Sequence, residues 1–168
     1  SGAGISNLQG IQAFVSLTSL DCDNNNLTTL PPLPGTLTSL LCGGNQITSL
    51  SALPNSLEYL LCSYNPLNFL PVLPSSLTQL DCESCQLTSL PALPIFLDSL
   101  NCSLNQLTTL PFLPTSLSYF VCYGNQLSSL PTLPNSLTNL YCYYNQLTSL
   151  PSLPGNLQVL DCGNNLFT

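Results

Sequence analysis

A leucine recurs at Leu17, Leu37, Leu57, Leu77, Leu97, Leu117, Leu137 and Leu157, and around it the whole sequence repeats with a period of 20 residues. A fixed period of this length decides the architecture before any local propensity does. The units read approximately L-x-x-L-x-C-x-x-N-Q-L-T-S-L-P-x-L-P-x-S. None is long enough to bury its own apolar face, so the units must stack, each covering what its neighbour would expose. Within a unit, the segment Leu-x-Cys-x alternates inward and outward as a short strand does, and the Asn three residues after the Cys falls where the chain must turn. Neighbouring units then pair as parallel strands ~4.8 Å apart. This reading makes residues 1–168 one solenoid domain, with a partial first repeat over 1–16, seven full repeats over 17–156 and a truncated eighth over 157–168.

The prolines supply an independent check. Of the 15 in the chain, 13 fall in just two columns, as in Pro91 and Pro94 or Pro131 and Pro134. Proline cannot donate to a sheet and disfavours helix at the residue before it. The return side of each coil is therefore expected to be extended or polyproline-like, with almost no α-helix. Pro66, and Ser51 in place of a column proline, mark the third and second units as irregular.

At Leu77-Thr-Gln-Leu80-Asp-Cys82 and Leu137-Thr-Asn-Leu140-Tyr-Cys142-Tyr-Tyr-Asn145-Gln-Leu147, the pattern resembles the leucine-rich-repeat signature L-x-x-L-x-L/C-x-x-N-x-L. The resemblance covers nearly the whole chain. The L-P-x-L-P tail is similar to the short repeats of bacterial effector and surface proteins. Ile5, Leu8, Ile11, Phe14 and Leu17, spaced by three, look like internalin-type convex segments. The resemblance implies a right-handed coil with its parallel sheet on the concave face. It also implies a secreted or cell-surface setting.

Two further columns carry polar or reactive atoms. Cys22, Cys42, Cys62, Cys82, Cys102, Cys122, Cys142 and Cys162 lie one period apart and point inward, where a small apolar residue fits. In-register parallel neighbours rarely present the vectors a disulfide demands, so these are read as buried free thiols. Cys85 stands off that column in place of a ladder Asn and is the candidate for any thiol reactivity. With Cys82 it forms a C-x-x-C, yet a zinc site needs two more ligands and the chain has no His. No metal or other cofactor is expected. The Asn column, Asn25, Asn45, Asn65, Asn105, Asn125, Asn145 and Asn165, is read as structural, each amide satisfying backbone groups of its own turn and the next.

Charge narrows the function. The chain has no Lys, Arg or His against 7 acidic residues, a net charge of −7. General acid/base and nucleophilic catalysis are left with carboxylates, thiols and Tyr hydroxyls alone, which argues against an enzyme. Phosphate backbones and anionic membrane surfaces would be repelled, so neither nucleic acid nor membrane is an expected partner. No apolar run approaches the roughly 20 residues a membrane-spanning helix needs. Met is absent, so Ser1 is read as the start of a processed product or segment. Ser1 to Gly4 fill the place of a preceding turn and Thr168 has no return after it. Flanking segments or a partner are therefore expected to cap both ends.

The outward positions of the sheet hold all 7 tyrosines: Tyr59, Tyr64, Tyr119, Tyr123, Tyr141, Tyr143 and Tyr144. Stacking gathers the last five into one patch, with Val121 beside Tyr141. Tyr joins a rigid apolar ring to a polar tip, which suits recognition, although it also suits an exposed sheet with no ligand. The expected function is a non-catalytic binding or adhesion module that presents this face to a protein, or to a glycan through ring stacking. A structural spacer without a ligand is the alternative. A minor alternative is an ice-binding surface on the hydroxyl column Thr28, Thr48, Thr88, Thr108, Ser128 and Thr148, which Asn68 interrupts. The acidic pairs Asp21/Asp23 and Asp81/Glu83, with Asp161, lie mostly on the same face and are read as solvating the sheet. They lack the six to eight oxygens calcium requires, but could select a cationic partner.

Overall fold

A computed structural model describes residues 2–167, so the expectations attached to Ser1 and Thr168 fall outside the described residues. Each repeat contributes one three-residue strand: β1 Ser19–Asp21, β2 Ser39–Leu41, β3 Tyr59–Leu61, β4 Gln79–Asp81, β5 Ser99–Asn101, β6 Tyr119–Val121, β7 Asn139–Tyr141 and β8 Val159–Asp161. They pair in chain order into one parallel sheet of 8 strands. The register advances by one whole unit at each step, so Leu40 stands beside Leu60 and Phe120 beside Leu140. From β1 to β7 the middle residue of the strand is buried and the Cys after it points the same way. The residues before and after the middle one face outward, as the period-2 reading requires. On β8 all three residues, Leu160 included, are exposed.

The column leucines and cysteines fuse into one continuous core, capped along its length by the Asn ladder. Asn45, Asn65, Asn125, Asn145 and Asn165 repeat the same bonds. The Asn125 amide donates to the carbonyls of Cys102 (3.0 Å), Cys122 (3.1 Å) and Tyr123 (3.3 Å), while its Oδ1 accepts the N–H of Leu107 (3.0 Å). One side chain thus ties two turns together and leaves no buried polar atom idle, which is why the column tolerates so little variation.

On the return side, the carbonyl of the second column proline accepts the N–H three residues on, as from Leu97 to Pro94 at 3.1 Å. This is a tight turn that proline's fixed φ favours. At Thr36, Ser56, Ser76, Ser116 and Ser136 the hydroxyl just before the unit's first leucine then bonds backward, as Ser76 Oγ does to the carbonyls of Asn55 (2.8 Å) and Leu57 (2.6 Å). In the fourth unit Phe96 takes that position and, with Ile95, lies exposed. Among the described residues there is no α-helix. The single helical turn is the 3₁₀ segment Ile11–Ala13, inside the stretch whose spacing by three set it apart in the sequence. Ile5 donates its N–H to Asn25 Oδ1 across 20 residues, where Leu27 donates to Asn45 Oδ1 across 18, so this first turn is the longer one.

A left-handed conformation recurs in the second residue after each column Cys, from Asn24 (φ 55°) through Gly44, Tyr64 (56°), Ser84, Leu104, Gly124 and Tyr144 (51°) to Asn164. The bend that lifts the chain off the sheet requires it. Gly and Asn accept it readily, whereas a Tyr or Leu there costs about 1 kcal/mol.

The irregularity expected at Pro66 is real and has a specific cause. Cys85 has no Oδ1 to receive the N–H of Leu67, which turns instead to the carbonyl of Asn65 at 2.9 Å. Pro66 has no N–H to offer, and Asn68 and Gln86 both swing to φ 61°, a position helix- and strand-forming neighbours do not adopt. Asn68 N–H then bonds the Cys85 carbonyl at 3.0 Å and stitches the two turns together again.

Candidate functional site

The third residue of each strand, when it is Asp or Asn, folds its side chain back onto the backbone. Asp81 accepts the N–H of Glu83 (3.1 Å) and Asn101 accepts that of Ser103 (3.2 Å). Such a local bond ends the strand and aims the next outward side chain. The first carboxylate of each acidic pair therefore has a backbone task beyond solvation, and Asp21 does the same for Asp23.

The outward columns place the tyrosines on the sheet face. Tyr119 and Tyr141 sit 5.8 Å apart between ring centroids on adjacent strands. One step further along, Tyr123 and Tyr143 stack at 4.4 Å with only 5° between their planes. Tyr144, 60% exposed, meets the edge of Tyr143 at 5.5 Å. The structure thus brings five of the expected residues together. Val121 pairs with Tyr141 in register, but it is buried and forms floor rather than contact surface. Burial raises the Tyr119 and Tyr143 hydroxyl pKa values, with their neighbours Tyr141 and Tyr123 adding to the effect.

Sequence reasoning placed Glu83 on this face but missed the contact that joins it to the patch. Tyr123 stretches over the buried Ser103 to place its hydroxyl 3.3 Å from Glu83, two units away. Tyr64 reaches the same carboxylate from the other side at 2.7 Å, and the amide of Asn101 donates to it at 3.0 Å. Hydrogen bonding to Glu83 pushes Tyr64 up to about 12. Tyr64, remote from the patch in sequence, is thereby joined to it. Tyr59 is not, since Gln79 and Ser99 separate it from Tyr119 in the same column. The available signal was the column itself: Glu83 and Tyr123 occupy equivalent positions with only a serine between them.

Burial raises the Asp81 pKa, the net of opposing effects that include the lowering bond from Glu83 N–H. The ladder thiols are buried, and burial pushes Cys22 up to about 11 and Cys142 up to about 12, as protection from solvent demands. Cys85 is likewise buried, its thiol bonded to the Cys62 carbonyl at 3.3 Å. It occupies the Asn position beneath the turn, and its side-chain hydrogen bond with Cys62 lowers its pKa against the opposing effect of burial. Cys162 is the one partly open cysteine among the described residues. The Thr/Ser column is exposed, and Asn68, at φ 61°, breaks it. Among the described residues no group of three His, Cys, Asp or Glu could hold a metal, and no helix is long and apolar enough to cross a membrane.

A parallel sheet on one side, proline turns on the other and an Asn ladder between them define the class: a leucine-rich solenoid. The leucine-rich-repeat family profile matches residues 16–37. The fold is similar to YopM from Yersinia enterocolitica WA-314, at 38% identity and a TM-score of 0.81 over 96% of this chain and 40% of that one. It is similar also to a Shigella effector leucine-rich-repeat domain, at 32% identity and TM-score 0.77, covering 86% of this chain and 71% of that domain. A third is the functional domain of InlJ from Listeria monocytogenes, described as including a cysteine ladder, at 31% identity and TM-score 0.85 over 98% of this chain and 38% of that one. No curated protein matches the sequence. The chain belongs to the leucine-rich-repeat family in its bacterial form, and it spans about 40% of the length of YopM.

Proposed function

We propose that residues 1–168 form one non-catalytic module that binds a protein through the tyrosine-bearing sheet face around β6 and β7. The observation that carries this reading is two adjacent sets of ring contacts, Tyr119 with Tyr141 and Tyr123 with Tyr143 and Tyr144, in which rings hold one another in place while Tyr144 and Tyr119 remain exposed. Rings already fixed before encounter lose little entropy on binding, and Tyr is the kind of side chain on which binding energy concentrates. The description of the Shigella relative as an effector supports a protein partner and a setting outside the producing cell.

The test compares the intact chain with a Tyr123→Ala, Tyr141→Ala, Tyr143→Ala variant in capture from host-cell extract and on a glycan array. The expected result is a protein retained by the intact chain and lost by the variant. Equal retention by both chains would remove the patch from the account. Capture of nothing by either chain would favour a spacer, and capture on the array alone would make the ligand a glycan.

A further inference from the structure

Carboxylates and rings meet on this surface in a way that specifies the charge of what binds. Between β4 and β6 the sheet face sinks into a depression of about 420 Å³. Asp81 and Glu83 stand on one side, Tyr119 and Tyr123 on the other, with Asn101 and Val121 below. Glu83 is held by three neutral donors, the hydroxyls of Tyr64 and Tyr123 and the Asn101 amide, at 2.7, 3.3 and 3.0 Å. Neutral donors fix a carboxylate without cancelling its charge. Nothing in the chain can cancel it, because there is no Lys, Arg or His anywhere in the sequence.

We propose that this depression receives a Lys or Arg side chain of the partner, which therefore presents a basic polypeptide segment to the sheet face. The inference rests on the binding role proposed above and gives that role its chemistry. Only a cation gains from both walls, since the ring faces of Tyr119 and Tyr123 attract positive charge within ~6 Å and the carboxylates pair with it directly. Partial burial of Asp81, which a cation would offset, adds to the gain. A divalent metal ion does not fit, because two carboxylates fall short of the oxygen ligands calcium requires and no third metal-binding side chain stands beside them among the described residues. An anionic segment would meet a chain of net charge −7.

The test is fluorescence anisotropy with a labelled Ala-Arg-Ala-Arg-Ala-Arg peptide, its Lys counterpart and a citrulline counterpart that keeps the shape and loses the charge. The cationic peptides are expected to bind and the citrulline peptide not to. Glu83→Gln is expected to weaken binding about tenfold. Glu58→Gln, which changes net charge equally but lies outside the depression, is expected to leave it unaltered. Ser99→Arg, which supplies the depression with a cation of the chain's own, is expected to abolish binding and serves should Glu83→Gln fail to fold. Equal losses for Glu83→Gln and Glu58→Gln would reduce the effect to overall charge and overturn the proposal. So would binding of spermine as tight as that of the peptides through the same Glu83, since the site would then be one for small amines. If the cationic peptides do not bind while the tyrosine-dependent capture above persists, the charge assignment fails and the binding face stands. If that capture is also absent, both fail.

Discussion

The two layers of each strand behave in opposite ways. Behind the sheet, the Cys column is the same residue in all 8 turns and the Asn column changes once, at Cys85. In front of it, the residue after the column Cys runs Asp23, Gly43, Ser63, Glu83, Ser103, Tyr123, Tyr143, Gly163. The repeating layer is where geometry leaves no choice, because one amide must serve three carbonyls and an N–H. The varying layer faces outward, where no bond common to every turn demands one residue type and side chains are free to suit a ligand. Cys85 shows what the constraint is worth: one missing oxygen redirects the Leu67 N–H and accompanies two residues with left-handed φ.

The ladder should be the fragile layer. Asn105 accepts the N–H groups of both Cys85 (3.0 Å) and Leu87 (2.9 Å), one more than its neighbours do, because Cys85 leaves the rung before it vacant. Asn105→Ala is expected to cost about 4 kcal/mol and Asn125→Ala about 3 kcal/mol, from buried groups left without partners. Negligible losses in urea unfolding would break the contrast between layers, and equal ones would mean that the second N–H held by Asn105 adds nothing. Restoring the missing rung with Cys85→Asn is expected to stabilise by about 1 kcal/mol, by returning an acceptor to Leu67. No gain would mean that Pro66 alone sets the irregular turn.

Charge offers a gentler probe. Asp81 and Asp23 both have raised pKa values, chiefly through burial. A carboxyl whose folded pKa exceeds its unfolded value adds stability that is complete below the unfolded pKa and is lost as pH rises through the folded one. With no cationic side chain in the sequence to lose as a partner, Tm is expected to rise by a few degrees, roughly 2 to 4, as pH falls from 7 towards 4. A falling Tm would contradict this. The smallest effect concerns one hydroxyl. Tyr64, raised to about 12, should contribute stability that is present below pH ~10 and is lost as pH rises through 12. Spectrophotometric titration should show its transition move down in Glu83→Gln, and no movement would dissolve the link between Tyr64 and the patch.

Nearly all of the fold was legible in the sequence because the period repeats the same local requirement in every turn. Strand alternation, the inward thiols, the Asn rungs and the helix-poor return side each follow from one unit copied eight times. The site was legible only in part. Neighbour contacts such as Tyr123 on Tyr143 follow from register, whereas the reach of Tyr123 over Ser103 to Glu83 depends on a rotamer and on the small side chain between them. The left-handed column was equally hidden, since Tyr64, Leu104 and Tyr144 carry no signal for positive φ.

The central claim is that one layer holds the fold and the other binds, and paired measurements on Asn125→Ala and Tyr143→Ala test it most directly. Tm and capture of the partner from host-cell extract, both read well below the melting range, should separate cleanly. The account predicts that Asn125→Ala lowers Tm and captures as the parent does, while Tyr143→Ala keeps Tm and loses capture. A Tyr143→Ala variant that captures undiminished, or an Asn125→Ala variant that melts with the parent, would contradict it.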